Sequence, residues 1–499
     1  MVLSKSFTPN MLEDKITINY LLLAGVSSLI ILHLMCLYVS SLAVFIAVLE
    51  NIFVYFLLFK GDYKTALIYM CLFYATSYSN PLFFGTSRGI DTIYCVENLP
   101  FVHGYLMLLS FFILFICVKL SKKVKKNEAP STVSAFAIYT ICSGVLMGLF
   151  TILINGFQYR AIISDLNQCV NPALMILVFG EVFGEDPIYG KKYSSLIIHI
   201  ILSYIIIAWV TTTLNIYADF VQVRDKVLML PLPSFYFSSI ILFLGLMKTR
   251  KDRLVIIIAF LSTVLFQLSF DSCMNGKSWI VFTTTILVGL YYLTKIMKNN
   301  FILFGIVLVV LGFFAIKMAP KVNSYISDTQ NTKLLEFVSM FEAADSGDLD
   351  DMDQSSRFRF IEFLNVTDQY IKEPIFALTG RGYGGSIHSN GFFTVRSESG
   401  FTDDQYDSDK FYRLHESMNV LYLKFGLIGL FFFVLILFQL IKGIKSSPFC
   451  YIGFVWLLFF WGYENSLLFI GLPSMVFGYL NAIHNKQIQP SIVRLSKDT

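Results

Sequence analysis

The chain has 499 residues, 56% of them hydrophobic and only 14% charged, with a formal net charge of +4. Soluble proteins carry about a quarter of their residues as charges, so this composition excludes a water-soluble enzyme. The apolar residues would fill about fourteen spans of about twenty residues each, which predicts an all-α polytopic membrane protein.

Apolar runs follow in chain order at 18–38, 42–59, 66–84, 101–118, 133–154, 169–183, 196–217, 235–247, 254–270, 279–297, 301–318, 419–441, 449–469 and 473–483. They predict about 14 transmembrane helices, with a range of 12 to 14. The short runs at 169, 235 and 473 suit tilted or re-entrant pieces packed inside a bundle. The N-terminal run follows Glu13 and Asp14 and lacks a small-residue cleavage site, so it is read as a span and not as a cleaved signal.

Lysine and arginine gather at every second connection: Lys60 and Lys64, Lys119 to Lys126, Lys191 and Lys192, Lys248 to Arg253, Lys295 and Lys298, Lys442 and Lys445, and the tail. The positive-inside rule makes these cytoplasmic, with both termini inside. The predicted organisation is helices 1 to 11 over 1–318, a large periplasmic loop over 319–418, helices 12 to 14 over 419–485 and a cytoplasmic tail over 486–499. Between Lys321 and Met418 there are 17 acids and 9 bases, a local charge of −8 that leaves +12 for the rest. The eight cysteines are scattered, mostly within apolar runs, and form no close pairs.

An outer segment of this length is too long for a connector and predicts a partly helical functional insertion. Leu334, Phe337, Val338 and Phe341 have helical spacing. A second helix is predicted from Ser355 and Ser356 through Arg357, Arg359 and Ile371, stopping before Pro374. The cluster from Gly380 through Arg381 to Gly385 suits a backbone that approaches a ligand closely. The aspartates from Asp348 to Asp353 read as a solvated acidic loop. His415, just before the run at 419, is a titratable imidazole at a membrane interface, suited to accepting a proton near neutral pH. No histidines have metal-ligand spacing, so no metal site and no cofactor are expected.

The outer face should be poor in cations, so Arg160, Lys277, Arg357, Arg359 and Arg381 need a reason. Snorkelling and headgroup contact explain such residues singly, whereas several converging at one level favour a diphosphate site. Inside apolar runs, Glu50 and Glu464 are candidates for ion coupling or for structural pairing.

Arg160 ahead of Asn171-Pro172, Lys277-Ser278, the arginine helix leading to Pro374 and the glycine cluster, and His415 before Gly426-Leu427-Ile428-Gly429 form an ordered set. This set resembles the O-antigen ligase and Wzy-type O-antigen polymerase superfamily of bacterial inner-membrane glycosyltransferases. The resemblance touches residues 160–430. It implies that His415 is the catalytic base and that Arg160, Lys277 and Arg357 or Arg359, with Arg381 as a further candidate, hold the substrate diphosphate. Glu416 and Lys277 depart from the asparagine and arginine frequent in that family. The implied partners are undecaprenyl-diphosphate-linked glycan donor and acceptor, membrane lipids, and a chain-length regulator and flippase of the same pathway, with no nucleic acid.

A sugar on a polyprenyl diphosphate already has a good leaving group. Transfer needs cations for the developing phosphate charge and a base for the acceptor hydroxyl, with no obligatory metal. The reading is a polymerase acting by inverting single displacement. Alternatives are a ligase transferring polysaccharide to lipid A core and, from another class, a polysaccharide flippase or transporter. An oligosaccharyltransferase-type fold fits less well, because the 38–41 connection lacks acidic metal ligands.

Overall fold

The computed structural model describes residues 19–36, 40–76, 112–117, 132–158, 187–213, 258–262, 354–390, 403–412 and 417–444, with shorter stretches within 161–178, 223–228, 284–289 and 450–454, and Phe401 and Leu414. The described residues are overwhelmingly helical. Among them, two two-residue strands, β1 (Val223–Arg224) and β2 (Val227–Leu228), pair antiparallel, Ile387 and Phe411 form an isolated bridge, and residues 380–390 form an irregular loop.

Three helices open the chain: α1 (Tyr20–Cys36), α2 (Ser40–Phe59) and α3 (Tyr63–Thr76). The Asn19 side chain caps α1 by accepting the Leu21 and Leu22 amides. Between α2 and α3, Gly61 takes φ +73° and donates to the Leu58 carbonyl while Asp62 donates to Leu57, a Schellman stop. The Asp62 carboxylate then accepts the Thr65 amide and starts α3. Next come α4 (Thr132–Asn155) and α5 (Pro187–Thr213). The apolar run at 196 marks only part of α5, which begins nine residues earlier at a proline suited to the first helical turn.

The 319–418 segment supplies α6 (Gln354–Lys372), α7 (Pro374–Thr379) and α8 (Asp403–Ser408), and α9 (Ser417–Gly443) follows. The helix expected from Ser355 to before Pro374 is α6, and the proline that ends it opens α7. The expected helix around Leu334 lies outside the described residues.

Packing falls into two groups. In the first, α1 lies against α5, α2 and α3. His199 ties α5 to the start of α1: its Nε2 accepts the Asn19 amide at 3.0 Å while Nδ1 donates to the Ser195 carbonyl at 2.6 Å, which fixes a neutral tautomer. Glu50 of α2 meets His33 of α1 at 2.7 Å, both buried, so this carboxylate has a protein partner. In the second group, α9 packs on α4, α6 and α7.

Among the described residues two helices, α4 and α9, are long and apolar enough to cross a membrane. Each has an exposed apolar stripe, with Val145, Leu146, Leu149 and Leu153 on α4 and Leu427, Phe431, Val434 and Phe438 on α9. Such a continuous apolar face marks contact with lipid or with another protein surface.

Candidate functional site: a glycine loop between two apolar helices

Polar chemistry concentrates where the second group meets. On α4, the residues facing away from the apolar stripe are small: Gly144, Gly148 and Thr151. The loop after α7, Gly380 to Ser386, lies directly on this face. A Cβ at Gly148 would stand 2.7 Å from the Tyr383 carbonyl oxygen, and one at Gly382 would stand 2.2 Å from the Gly148 nitrogen. The glycine cluster was expected to approach a ligand. The backbone it approaches is that of α4 and α9, because paired glycines let two main chains touch.

The loop is not a cap on the helix end. Tyr383 donates its hydroxyl to the Thr140 carbonyl at 2.7 Å, and Thr140 lies about 22 Å of helix rise from the C-terminal end of α4. Irregular backbone alongside an apolar helix is tolerated only where its polar groups are satisfied by protein. Here Arg381 donates its amide to Leu423, Gly382 to Lys424 and Tyr383 to Gly144. The Gly384 amide goes to the Asp165 carboxylate and the Gly385 amide to the Gly382 carbonyl. In the other direction, the Arg381 carbonyl accepts from Thr151 and the Gly385 carbonyl from the Lys424 ammonium.

Two of those amides end on α9, which is broken. Gly426 has φ +60° and ψ −159°, so the helix consists of two pieces joined by a kink, and a Cβ there would stand 2.5 Å from the Gly380 nitrogen. A break frees carbonyls, and each has a substitute donor: Tyr370 hydroxyl to Leu423 at 2.7 Å, Arg381 and Gly382 amides to Leu423 and Lys424, and Tyr139 hydroxyl to Phe425 at 2.9 Å. Burial pushes the Tyr370 and Tyr383 phenols up from their ordinary value and keeps them as neutral donors.

Beside the break, Lys424 and Asp165 form an ion pair at 2.6 Å with both side chains buried. Burial raises the Asp165 carboxyl above its ordinary value, against the lowering effect of the Lys424 ammonium and the Gly384 amide. In the same loop the Arg381 side chain is 5% exposed. Its Nη1 donates to the Ser386 carbonyl and its Nη2 to Glu373 at 2.8 Å, while the guanidinium packs near the Tyr370 and Phe376 rings. The side chain borders a cavity of about 240 Å³ that is also lined by Thr151, Gln369, Lys372, Glu373 and His388. Arg381 and Lys372 put two cations at this cavity, each paired with a carboxylate, Glu373 and Asp368, so a phosphate-bearing group binds there by taking a carboxylate's place on a cation.

Arg381 is therefore at a built site. Arg357 and Arg359 are partly exposed in the first turns of α6, and the Arg359 carbonyl accepts from Asn419 of α9 at 2.8 Å. From Arg359 to Lys372 the helix rises about 20 Å, so the structure does not bring these arginines to the Arg381 cavity. Arg160, Lys277, His415, Glu464 and the aspartate run lie outside the described residues. Among the described residues no three His, Cys, Asp or Glu side chains group as metal ligands.

Sequence reading passed over Asp165 and Lys424. The available signals were one cation inside the apolar run at 419–441 and Gly144-x-x-x-Gly148 inside that at 133–154. No protein-family model, no curated protein and no solved structure matches the chain.

Proposed function

We propose that the chain is a polytopic bacterial inner-membrane glycosyltransferase with about fourteen spans, both termini cytoplasmic and the 319–418 segment periplasmic. It joins polyprenyl-diphosphate-linked oligosaccharide repeats into O-antigen or a related surface polysaccharide. The observation that carries the reading is Arg381: a guanidinium buried at the mouth of a broken-helix site, bordering a donor-rich cavity beside Lys372 and His388. Such a cavity suits the diphosphate of a lipid-linked substrate.

In this mechanism His415 removes the proton from the acceptor hydroxyl, and that oxygen attacks the anomeric carbon as the bond to the diphosphate oxygen breaks. The single displacement inverts the anomeric centre. Arg160, Lys277 and an arginine of α6 hold the leaving diphosphate, and the chemistry does not require a metal. The test is turnover of polyprenyl-diphosphate repeat units by the full chain in proteoliposomes. His415→Ala should abolish chain growth, whereas normal polymer length and amount would remove the base assignment, and chelator-sensitive turnover would remove the metal-free mechanism. In a deletion strain, single repeats attached to lipid A core would support a polymerase, and no attached repeats would support a ligase.

A second reading, transport of a lipid-linked glycan, is favoured by the discontinuous α9 and the buried ionisable pairs Lys424–Asp165 and His33–Glu50. Movement of lipid-linked sugar across liposomes without joining of units would select it.

A further inference from the structure

We propose that the Arg381 cavity is a second anion subsite, which takes the diphosphate of a second lipid-linked molecule, and that Glu373 is the resident counter-ion this diphosphate displaces. The proposal deepens the polymerase reading and rests on it. Joining two lipid-linked units requires both to be held at once, each by its own diphosphate.

Two separate cationic places occur on one helix. Arg357 and Arg359 lie in the first turns of α6, and Lys372 closes its other end about 20 Å away. A diphosphate is two phosphate groups sharing one oxygen, so a single one does not reach both places.

The Arg381 end has the character of a site. The Arg381 side chain is 5% exposed and fixed from below by the Ser386 carbonyl, so it does not move away. Its Nε is buried without a hydrogen-bond partner. Its counter-ion is different: Glu373 is 47% exposed at the end of α6 and meets Arg381 through Oε2 at 2.8 Å. A carboxylate held at the rim by one contact rotates into water readily, and a phosphate oxygen replaces it on the same Nη2 with a charge-assisted bond of equal or greater strength. Lys372, 66% exposed and paired at 2.8 Å with Asp368 one turn back, adds a second cation at the rim. Half-exposed His388 lies across the cavity, with Asp409 at 3.3 Å from its Nδ1.

The experiment uses the full chain in nanodiscs, with inorganic pyrophosphate and farnesyl diphosphate as probes in calorimetric titrations. Wild type should bind two diphosphates. Glu373→Gln should tighten one of the two sites by about fivefold, the ratio expected for removing a half-exposed competing carboxylate. Lys372→Glu should weaken that same site, and Arg357→Ala with Arg359→Ala should weaken the other. Farnesyl diphosphate should outbind pyrophosphate at the Glu373-sensitive site; equal affinities would overturn the lipid-linked ligand. A wild-type stoichiometry of one, or a normally melting Glu373→Gln protein with unchanged affinities, would overturn the subsite. Two sites in a protein that joins no repeats would uphold the subsite and remove the polymerase reading, and joining by a one-site protein would do the reverse.

Discussion

Lys424 and Asp165 meet at 2.6 Å where neither side chain reaches solvent, and both also grip the glycine loop, Lys424 through the Gly385 carbonyl and Asp165 through the Gly384 amide. The pair links the break in α9, the loop beneath Arg381 and the chain after α4. Removing one member strands the other charge in a buried place. Lys424→Ala or Asp165→Ala should each destabilise the protein by about 3–5 kcal/mol, measured as thermal unfolding of the full chain in detergent. Lys424→Met combined with Asp165→Leu should cost less than the sum of the two single changes, since no charge is left unpaired. Strict additivity would contradict the pairing.

Glycines separate in the same way by what surrounds them. Gly148→Ala drives a methyl into the Tyr383 backbone at 2.7 Å, and neither chain there is the end of a flexible side chain. The expected cost is about 2–3 kcal/mol, in the range of an overpacked core, with loss of the Arg381 cavity. Gly25 in α1 has nothing within 4 Å of its would-be Cβ and lies in a regular helix. Gly25→Ala should be neutral or stabilising by up to about 1 kcal/mol. Equal effects at the two positions would mean that the loop does not sit on α4.

The helices were legible in sequence because a run of apolar residues and a proline are local signals. Thus α1, α2, α4 and α9 fall within about two residues of the runs at 18, 42, 133 and 419, and α6 stops before Pro374. Where the polar segment goes was not legible. Arg381 stood out as an outer-face cation, but its partners are Ser386, in a loop whose path is set by glycines on α4 more than 230 residues earlier in the chain, and Glu373, at the junction of α6 and α7. Asp165 and Lys424 are 259 residues apart and meet only through the tertiary fold. Periodicity reports which face of a helix is apolar and does not report which distant backbone lies on the other face.

The buried phenols give a pH dependence with a definite sign. Tyr370 and Tyr383 have folded pKa values above the unfolded value of about 10. Their contribution is therefore fully present below about pH 10 and is lost as pH rises above it, since the unfolded chain then releases protons that the folded chain keeps. Unfolding midpoints of the full chain should fall steeply above about pH 10. Tyr370→Phe should lower stability by about 1 kcal/mol at neutral pH through loss of the Leu423 contact and should flatten the alkaline slope. An unchanged slope would place that titration elsewhere.

Orientation is testable without any substrate. Lys119, Lys122, Lys123, Lys125 and Lys126 precede α4, and the Arg381 cavity is lined by Thr151 and Ile154 from its other end. If the basic cluster is cytoplasmic, the rise of α4, about 36 Å over its 24 residues, carries the cavity to the periplasmic side of the bilayer. Alkaline phosphatase fused after Gln158 should then be active, and the same enzyme fused after Lys126 should be inactive. The opposite pattern would put Arg381 on the cytoplasmic face, where a periplasmic lipid-linked glycan could not reach it, and would remove both the glycosyltransferase reading and the second subsite together.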